Sequence, residues 1–293
     1  EGQGLLFGDE ADGQKEIITV TIGNVQPYYM IYVIKSDGSN FPGFPKGFNE
    51  PVKDIASGDV DGDGYLDIAI RSKNFVNVID RFGNSLSGFP VNYVDNPQIL
   101  RKFISLYDLD NDGQLEIIIS IRGEYNVINF DGRIRPGWPQ RITGESTENP
   151  AIGDIDNDGF AEIIFTSFRQ LSGSIDSGSI NIFRHDGSIF SKNFPIFYDS
   201  LYYTYGASPS IQIIKSYLDS TIIIVPSYIN IDTGSSYSLN RLTKYNINGE
   251  IIDRSYQKTY SGFGTFSMGD INKDGKVEFA SGTQFGQYLT AYN

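Results

Sequence analysis

The chain has 293 residues, 14% of them aromatic, with 32 glycines, no cysteine and a formal net charge of −13. That length suffices for a large core and for a single all-β domain. The missing cysteine excludes disulfides, zinc–thiolate sites and thiol nucleophiles, the acidity argues against nucleic acid and anionic membrane as partners, and no apolar run reaches the roughly 18 residues of a membrane span.

The chain begins at Glu1 with neither Met nor an apolar leader, as expected of a processed mature chain or a piece of a longer one. Asp9, Asp12, Gly13 and Glu16 then precede the strand-like run Ile17-Ile18-Thr19-Val20. The same juxtaposition returns in fuller form. Asp59, Asp61, Asp63, Gly64 and Asp67 run into Ile68-Ala69-Ile70, and Asp108, Asp110, Asp112, Gly113 and Glu116 into Ile117-Ile118-Ile119. Asp154, Asp156, Asp158, Gly159 and Glu162 lead to Ile163-Ile164-Phe165, and Asp270, Asn272, Asp274, Gly275 and Glu278 repeat the loop with one neutral ligand.

Oxygens at positions 1, 3, 5 and 9 of a tight turn converge on one point, which suits a hard cation that takes six to eight oxygen ligands. Glycine at position 6 permits the sharp turn. Calcium fits better than magnesium, which keeps its waters. An EF-hand loop starts the same way but needs Glu at position 12; here that position holds Ile70, Ile119, Phe165 or Ser281. The flanks are short, branched and strand-like, so each loop joins two strands rather than two helices.

The first-position aspartates are 49, 46 and 116 residues apart, and 116 is twice 58. A repeat with a decayed loop is therefore expected near residue 212, where Ile211-Gln212-Ile213-Ile214 and Ile222-Ile223-Ile224-Val225 flank a short turn. With the opening segment this makes six repeats, a periodicity that signals a propeller or another array. Hairpin signals keep the register at Asp37-Gly38, Gly83-Asn84, Asp131-Gly132, Asp186-Gly187 and Asn248-Gly249. Gly43-Phe44-Pro45, Gly88-Phe89-Pro90, Gly137-Trp138-Pro139 and Asn193-Phe194-Pro195 follow. They read as an outer edge strand ending in proline, and the recurrent slot gives Trp138 a packing role rather than that of a ligand platform.

Each repeat is then four antiparallel strands with the acidic loop between the first two, and such sheets around an axis make an all-β propeller. The predicted architecture is one domain over residues 1–293 with six four-stranded repeats. The last is incomplete, and seven blades are open if the chain continues.

The shared pattern, strand, D-x-D-x-D-G-x-x-D/E, strand and G-F/W-P turn, resembles the FG-GAP (VCBS-type) repeats of integrin α-subunit propellers and of many secreted microbial proteins. The resemblance implies Ca2+ at three to four structural sites, with the position-7 carbonyl added to the side-chain ligands. Those carbonyls belong to Tyr65, Gln114, Phe160 and Lys276. The first repeat departs by a deletion, which puts metal at Asp9, Asp12 and Glu16 in doubt, and the fifth has lost its acidic residues.

Little else carries chemistry. His185, the one histidine, precedes the Asp186-Gly187 hairpin and reads as a surface turn residue; with no cysteine, a Ser-His-Asp or Cys-His arrangement is disfavoured. The other face of the repeats would carry the links Phe168–Gly178 and Tyr228–Asn240, and a segment with Tyr198, Tyr202, Tyr203 and Tyr205. Rigid aromatics beside polar groups suit a sugar or a protein, though packing between repeats is an equal use. The sequence thus points to a secreted or cell-surface calcium-stabilised module that binds or adheres to a protein or glycan, without catalysis. A carbohydrate-active enzyme, such as a polysaccharide-degrading one, or its accessory domain is the runner-up, and a structural subunit of a cell-surface assembly is a third reading.

Overall fold

The computed structural model describes residues 4–6, 15–94, 103–121, 124–142, 145–146, 149–170, 176–200, 211–215, 221–230, 238–259, 263–269, 278–283 and 289–292. Every regular element among them is a β-strand, and none is a helix long and apolar enough to cross a membrane. The chain divides into two compact units, Glu1–Arg141 and Ile142–Asn293.

The first unit holds three four-stranded antiparallel sheets, each running in chain order. Sheet one is β1 (Gly4–Leu6), β2 (Ile17–Ile22), β3 (Tyr29–Ile34) and β4 (Lys46–Phe48). Sheet two is β5 (Val52–Gly58), β6 (Asp67–Ser72), β7 (Phe75–Ile79) and β8 (Val91–Asn92). Sheet three is β9 (Ile104–Tyr107), β10 (Glu116–Ile121), β11 (Glu124–Ile128) and β12 (Gln140–Arg141). In the second unit, sheet four is β13 (Glu145–Ser146), β14 (Ala151–Gly153), β15 (Glu162–Gln170), β16 (Asp176–Phe183) and β17 (Ile196–Ser200). Sheet five is β18 (Gln212–Lys215), β19 (Thr221–Asn230), β20 (Ser238–Tyr245) and β21 (Ile251–Thr259), and sheet six is β22 (Phe263–Gly269), β23 (Glu278–Thr283) and β24 (Leu289–Tyr292).

Sheet two buries both faces, because successive side chains of a strand point to opposite sides. Ile68 and Ile70 of β6 join Ile18, Ile31 and Val33 of sheet one, whereas Ala69, Val76 and Val78 join Ile117 and Ile119 of sheet three. In the second unit Ile164, Ile180 and Ile182 pack on Ile223, Val225 and Tyr245 of sheet five. Burying one such aliphatic side chain contributes about 1.5–3 kcal/mol. Ile68-Ala69-Ile70 of β6 therefore reads as a continuous apolar run, whereas burial alternates along β2.

Polar bolts join sheets two and three. Arg71, fully buried on β6, donates from Nη1 to Phe103 O (3.0 Å) and Ser120 Oγ (3.2 Å), and from Nη2 to Ser120 O. The Asp54 carboxylate of β5 accepts from Ile104 N at 2.9 Å.

Three expectations need correction. The edge strand does not end at the proline but follows it: β4, β8, β12 and β17 lie beyond Pro45, Pro90, Pro139 and Pro195, each preceded by a cis peptide bond. Only isolated bridges, at Asn40, Ser85, Ile134 and Ile189, precede the turn. In repeat one the ladder breaks after the bridge Ile34↔Asn40 and resumes beyond the proline at Ile31↔Lys46. The links Phe168–Gly178 and Tyr228–Asn240 begin and end in strand, because β15–β16 and β19–β20 extend their ladders to Gln170↔Asp176 and Asn230↔Ser238, and residues 171–175 and 231–237 lie outside the described residues. Sheet four has five strands, because its first strand is split into β13 and β14, both paired with β15. Repeat five lies where the spacing puts it, over β18–β21, and sheet six has three strands. Phe44, Phe89, Trp138 and Phe194 are all buried, as a recurrent packing slot requires.

Candidate metal centres

The acidic loops of repeats two, three and four join β5 to β6, β9 to β10 and β14 to β15. They share one hydrogen-bond plan. The first aspartate accepts from the glycine at position 6: Gly64 N to Asp59 Oδ2 (2.9 Å), Gly113 N to Asp108 Oδ2 (2.9 Å) and Gly159 N to Asp154 Oδ2 (3.1 Å). The fifth-position aspartate accepts from position 7: Tyr65 N to Asp63 (2.8 Å), Gln114 N to Asp112 (2.9 Å) and Phe160 N to Asp158 (2.9 Å). One oxygen of the ninth-position acid is taken by the position-2 amide: Val60 N to Asp67 (3.0 Å), Leu109 N to Glu116 (2.9 Å) and Ile155 N to Glu162 (3.1 Å).

Two backbone positions need the left-handed region. Gly64, Gly113 and Gly159 have φ of 88°, 88° and 93°. Position 4, which the sequence reading passed over, is left-handed too, at Gly62 (76°), Asn111 (58°) and Asn157 (61°). Glycine and asparagine are the residues that tolerate this region, so the signal was present in the sequence. Position 2 was also missed: Val60, Leu109 and Ile155 are buried and anchor each loop in the core.

The plan brings carboxylate oxygens of Asp59, Asp61 and Asp67 within 4.8 Å of one another, and likewise those of Asp108, Asp110 and Glu116 and of Asp154, Asp156 and Glu162. Burial, and repulsion from the loop aspartates, push Asp67, Glu116 and Glu162 up to about 7. Asp59 Oδ1 and Asp110 Oδ1 are buried with no hydrogen-bond partner. A donor set of clustered, mutually repelling oxygens with orphaned buried lone pairs fits a hard divalent cation.

Asp270, Asn272, Asp274 and Lys276 lie outside the described residues, and Glu278 opens β23. Asp9 and Asp12 are also outside them, while Glu16 is buried beside the start of β2. Of the four tyrosines, Tyr198 lies in β17, and Tyr202, Tyr203 and Tyr205 fall outside the described residues. His185 is half-buried and stacks on Phe160 with ring centroids 4.4 Å apart.

Carboxylate loops at a strand-to-strand corner of three successive antiparallel sheets define a β-repeat protein whose corners could hold a metal ion. Residues 54–85 match the FG-GAP repeat and residues 107–165 the FG-GAP-like repeat, so these parts of the chain carry repeats of that kind. No curated protein matches it. Among solved structures, BBS1N from its complex with ARL6DN is 9% identical, with a TM-score of 0.54 over 99% of this chain and 78% of that one. This likeness bears on the fold alone. The WD40 domain of fission-yeast SCAP (12% identity, 99% and 73% covered) and the Vibrio cholerae biofilm matrix protein Bap1 (14%, 100% and 61%) have TM-scores of 0.47 and 0.36, too low to argue from.

Proposed function

We propose that the six sheets are blades of one calcium-stabilised β-propeller, secreted or at the cell surface, that binds a protein or glycan partner. The observation that supports calcium most directly is the orphaned, buried oxygen at Asp59 and at Asp110, inside loops of one hydrogen-bond plan. Asp59, Asp61, Asp63, Asp67 and the Tyr65 carbonyl would hold the first ion. Asp108, Asp110, Asp112, Glu116 and the Gln114 carbonyl would hold the second. Asp154, Asp156, Asp158, Glu162 and the Phe160 carbonyl would hold the third, and Asp270, Asn272, Asp274, Glu278 and the Lys276 carbonyl a fourth. The bound ion supplies positive charge that removes the repulsion among the carboxylates; the chain's own amides and buried position-2 side chains set the loop.

The role proposed for the ion is structural, and no catalytic role is assigned to the chain. FG-GAP repeats are typical of extracellular proteins, and millimolar external calcium suits sites of 10⁻⁴–10⁻³ M affinity. The partner face is the one opposite the loops, with Tyr198, Tyr202, Tyr203 and Tyr205 as candidate contacts. Glycan-array and pull-down measurements test this: binding lost on alanine replacement of Tyr202, Tyr203 and Tyr205 supports it, and unaffected binding contradicts it. Release of products from a polysaccharide would instead establish the enzyme reading.

A further inference from the structure

The acidic loops of repeats two and three, both in the first unit, are joined through one peptide unit. Leu115 N donates to Val60 O at 3.1 Å. The unit that carries this N–H also carries the carbonyl of Gln114, at position 7 of its loop. It is trans, so its C=O points the opposite way from its N–H, away from Val60.

Val60 is held from its other side as well. Its own N–H donates at 3.0 Å to Oδ2 of Asp67, the ninth-position acid of the repeat-two loop, and its side chain is fully buried. An unbroken run of groups therefore leads from one acid cluster to the next: the Asp67 carboxylate, Val60 N–H, Val60 C=O, Leu115 N–H and Gln114 C=O. The contact around it is close. A Cβ at Gly62, position 4 of the first loop, would lie 3.4 Å from Gly113 O, position 6 of the second. A Cβ at Gly58, just ahead of Asp59, would lie 2.5 Å from Leu115 Cδ1, so Leu115 is placed by its side chain as well as by its amide.

The repeat-four loop has the first half of this run with a different second half. Ile155 N donates to Glu162 Oε2 at 3.1 Å, but Ile155 O accepts from Thr221 Oγ1 at 2.7 Å. A side-chain hydroxyl is not part of a peptide unit and positions no carbonyl ligand.

We infer that the Gln114–Leu115 peptide unit couples the two corners, so that calcium in the loop at 59–67 raises the affinity of the loop at 108–116, and the reverse. This rests on the calcium reading above. Asp67, once its charge is neutralised and its position fixed, fixes Val60. Val60 O then holds the Gln114 carbonyl in place before that carbonyl is needed as a ligand, and order that need not be created on binding is affinity gained. Hydrogen bonds in a run also polarise one another, so a Gln114 carbonyl that faces a cation makes Leu115 N–H the stronger donor. Repulsion between two bound cations acts against this, but it is screened over about 8 Å at physiological ionic strength.

The test is calcium titration of the whole chain, followed by the amide NMR signals of Gly64 and Gly113, one in each loop. The chains are wild type, Asp59→Asn, Asp63→Asn and Asp108→Asn, with melting in EDTA to confirm that each is folded. Disabling the first loop by either Asp59→Asn or Asp63→Asn should weaken the site read at Gly113 about five- to tenfold, and Asp108→Asn should weaken the site read at Gly64 by the same factor, as linkage requires. The ratio should not shrink when salt is raised to about 0.5 M, because salt screens only the opposing repulsion. In Asp108→Asn, calcium should still slow hydrogen exchange of the Leu115 amide, which a merely structural bond would not do. A Gly113 site that binds as tightly or more tightly in both first-loop variants overturns the inference and leaves the calcium reading standing. No calcium-dependent change at either glycine in the wild type overturns both.

Discussion

The backbone N–H of Leu115 donates to the carbonyl of Val60 at 3.1 Å. Both residues belong to acidic loops, Val60 at position 2 of one and Leu115 at position 8 of the next. The shape of one acidic corner is therefore hydrogen-bonded to that of its neighbour, in line with the nearest-neighbour energetics of repeat proteins. In the second unit the corresponding carbonyl, Ile155 O, accepts from Thr221 Oγ1 at 2.7 Å. Where repeat five has no acidic loop, a hydroxyl at the first residue of β19 takes over the contact.

Thr221 is buried, so removing its hydroxyl leaves a buried carbonyl short of a donor. Thr221→Val should destabilise by about 1–2 kcal/mol, read as a lower midpoint in urea with an unchanged slope.

Arg71 offers a larger effect. Truncation strips donors from Phe103 O and Ser120 O and opens a cavity between sheets two and three. Arg71→Ala should cost about 3–5 kcal/mol, by analogy with breaking a buried charged contact, and chemical denaturation would show it directly.

Gly88 is held by its neighbour rather than by its φ alone. A Cβ there would lie 1.9 Å from Asp131 O, and at Gly43 the corresponding clash is 2.0 Å from Phe82 O. The G-F-P turn of one repeat thus presses on the hairpin of the next. Gly88→Ala should lower the melting temperature by several degrees, more than Gly113→Ala, where a Cβ meets nothing within 4 Å and only the positive φ is strained.

Asp67, Glu116 and Glu162 give the ion-free protein a pH dependence of definite sign. Their folded pKa is raised to about 7 from 3.8 or 4.5. Between those values the folded state holds protons that the unfolded chain has released, so stability falls as pH rises through this window. In EDTA the chain should melt higher at pH 5 than at pH 8. With calcium the order should reverse, because only ionised carboxylates bind the ion. Thermal scans at the two pH values check both.

The corners were legible in the sequence because alternating carboxylates with a fixed glycine have few other uses. The spacing of Asp59, Asp108, Asp154 and Asp270 located even the decayed repeat at β18–β21. Other features were less visible. Both faces of β6 are buried, so its hydrophobicity alone does not tell a parallel from an antiparallel sheet. The edge strand was placed on the wrong side of Pro45 and its equivalents because a proline-terminated strand and a proline-started one read alike. The bond from Leu115 N to Val60 O was invisible, because a backbone hydrogen bond between repeats leaves no mark on the residue type at either end.

Calcium at the corners is the central claim, and differential scanning calorimetry in EDTA and in calcium tests it most directly. A hundredfold excess over Kd adds about 2.7 kcal/mol for each loop filled, so the chain should melt at least about 5 °C higher in calcium. Identical melting in calcium and in EDTA would contradict the account.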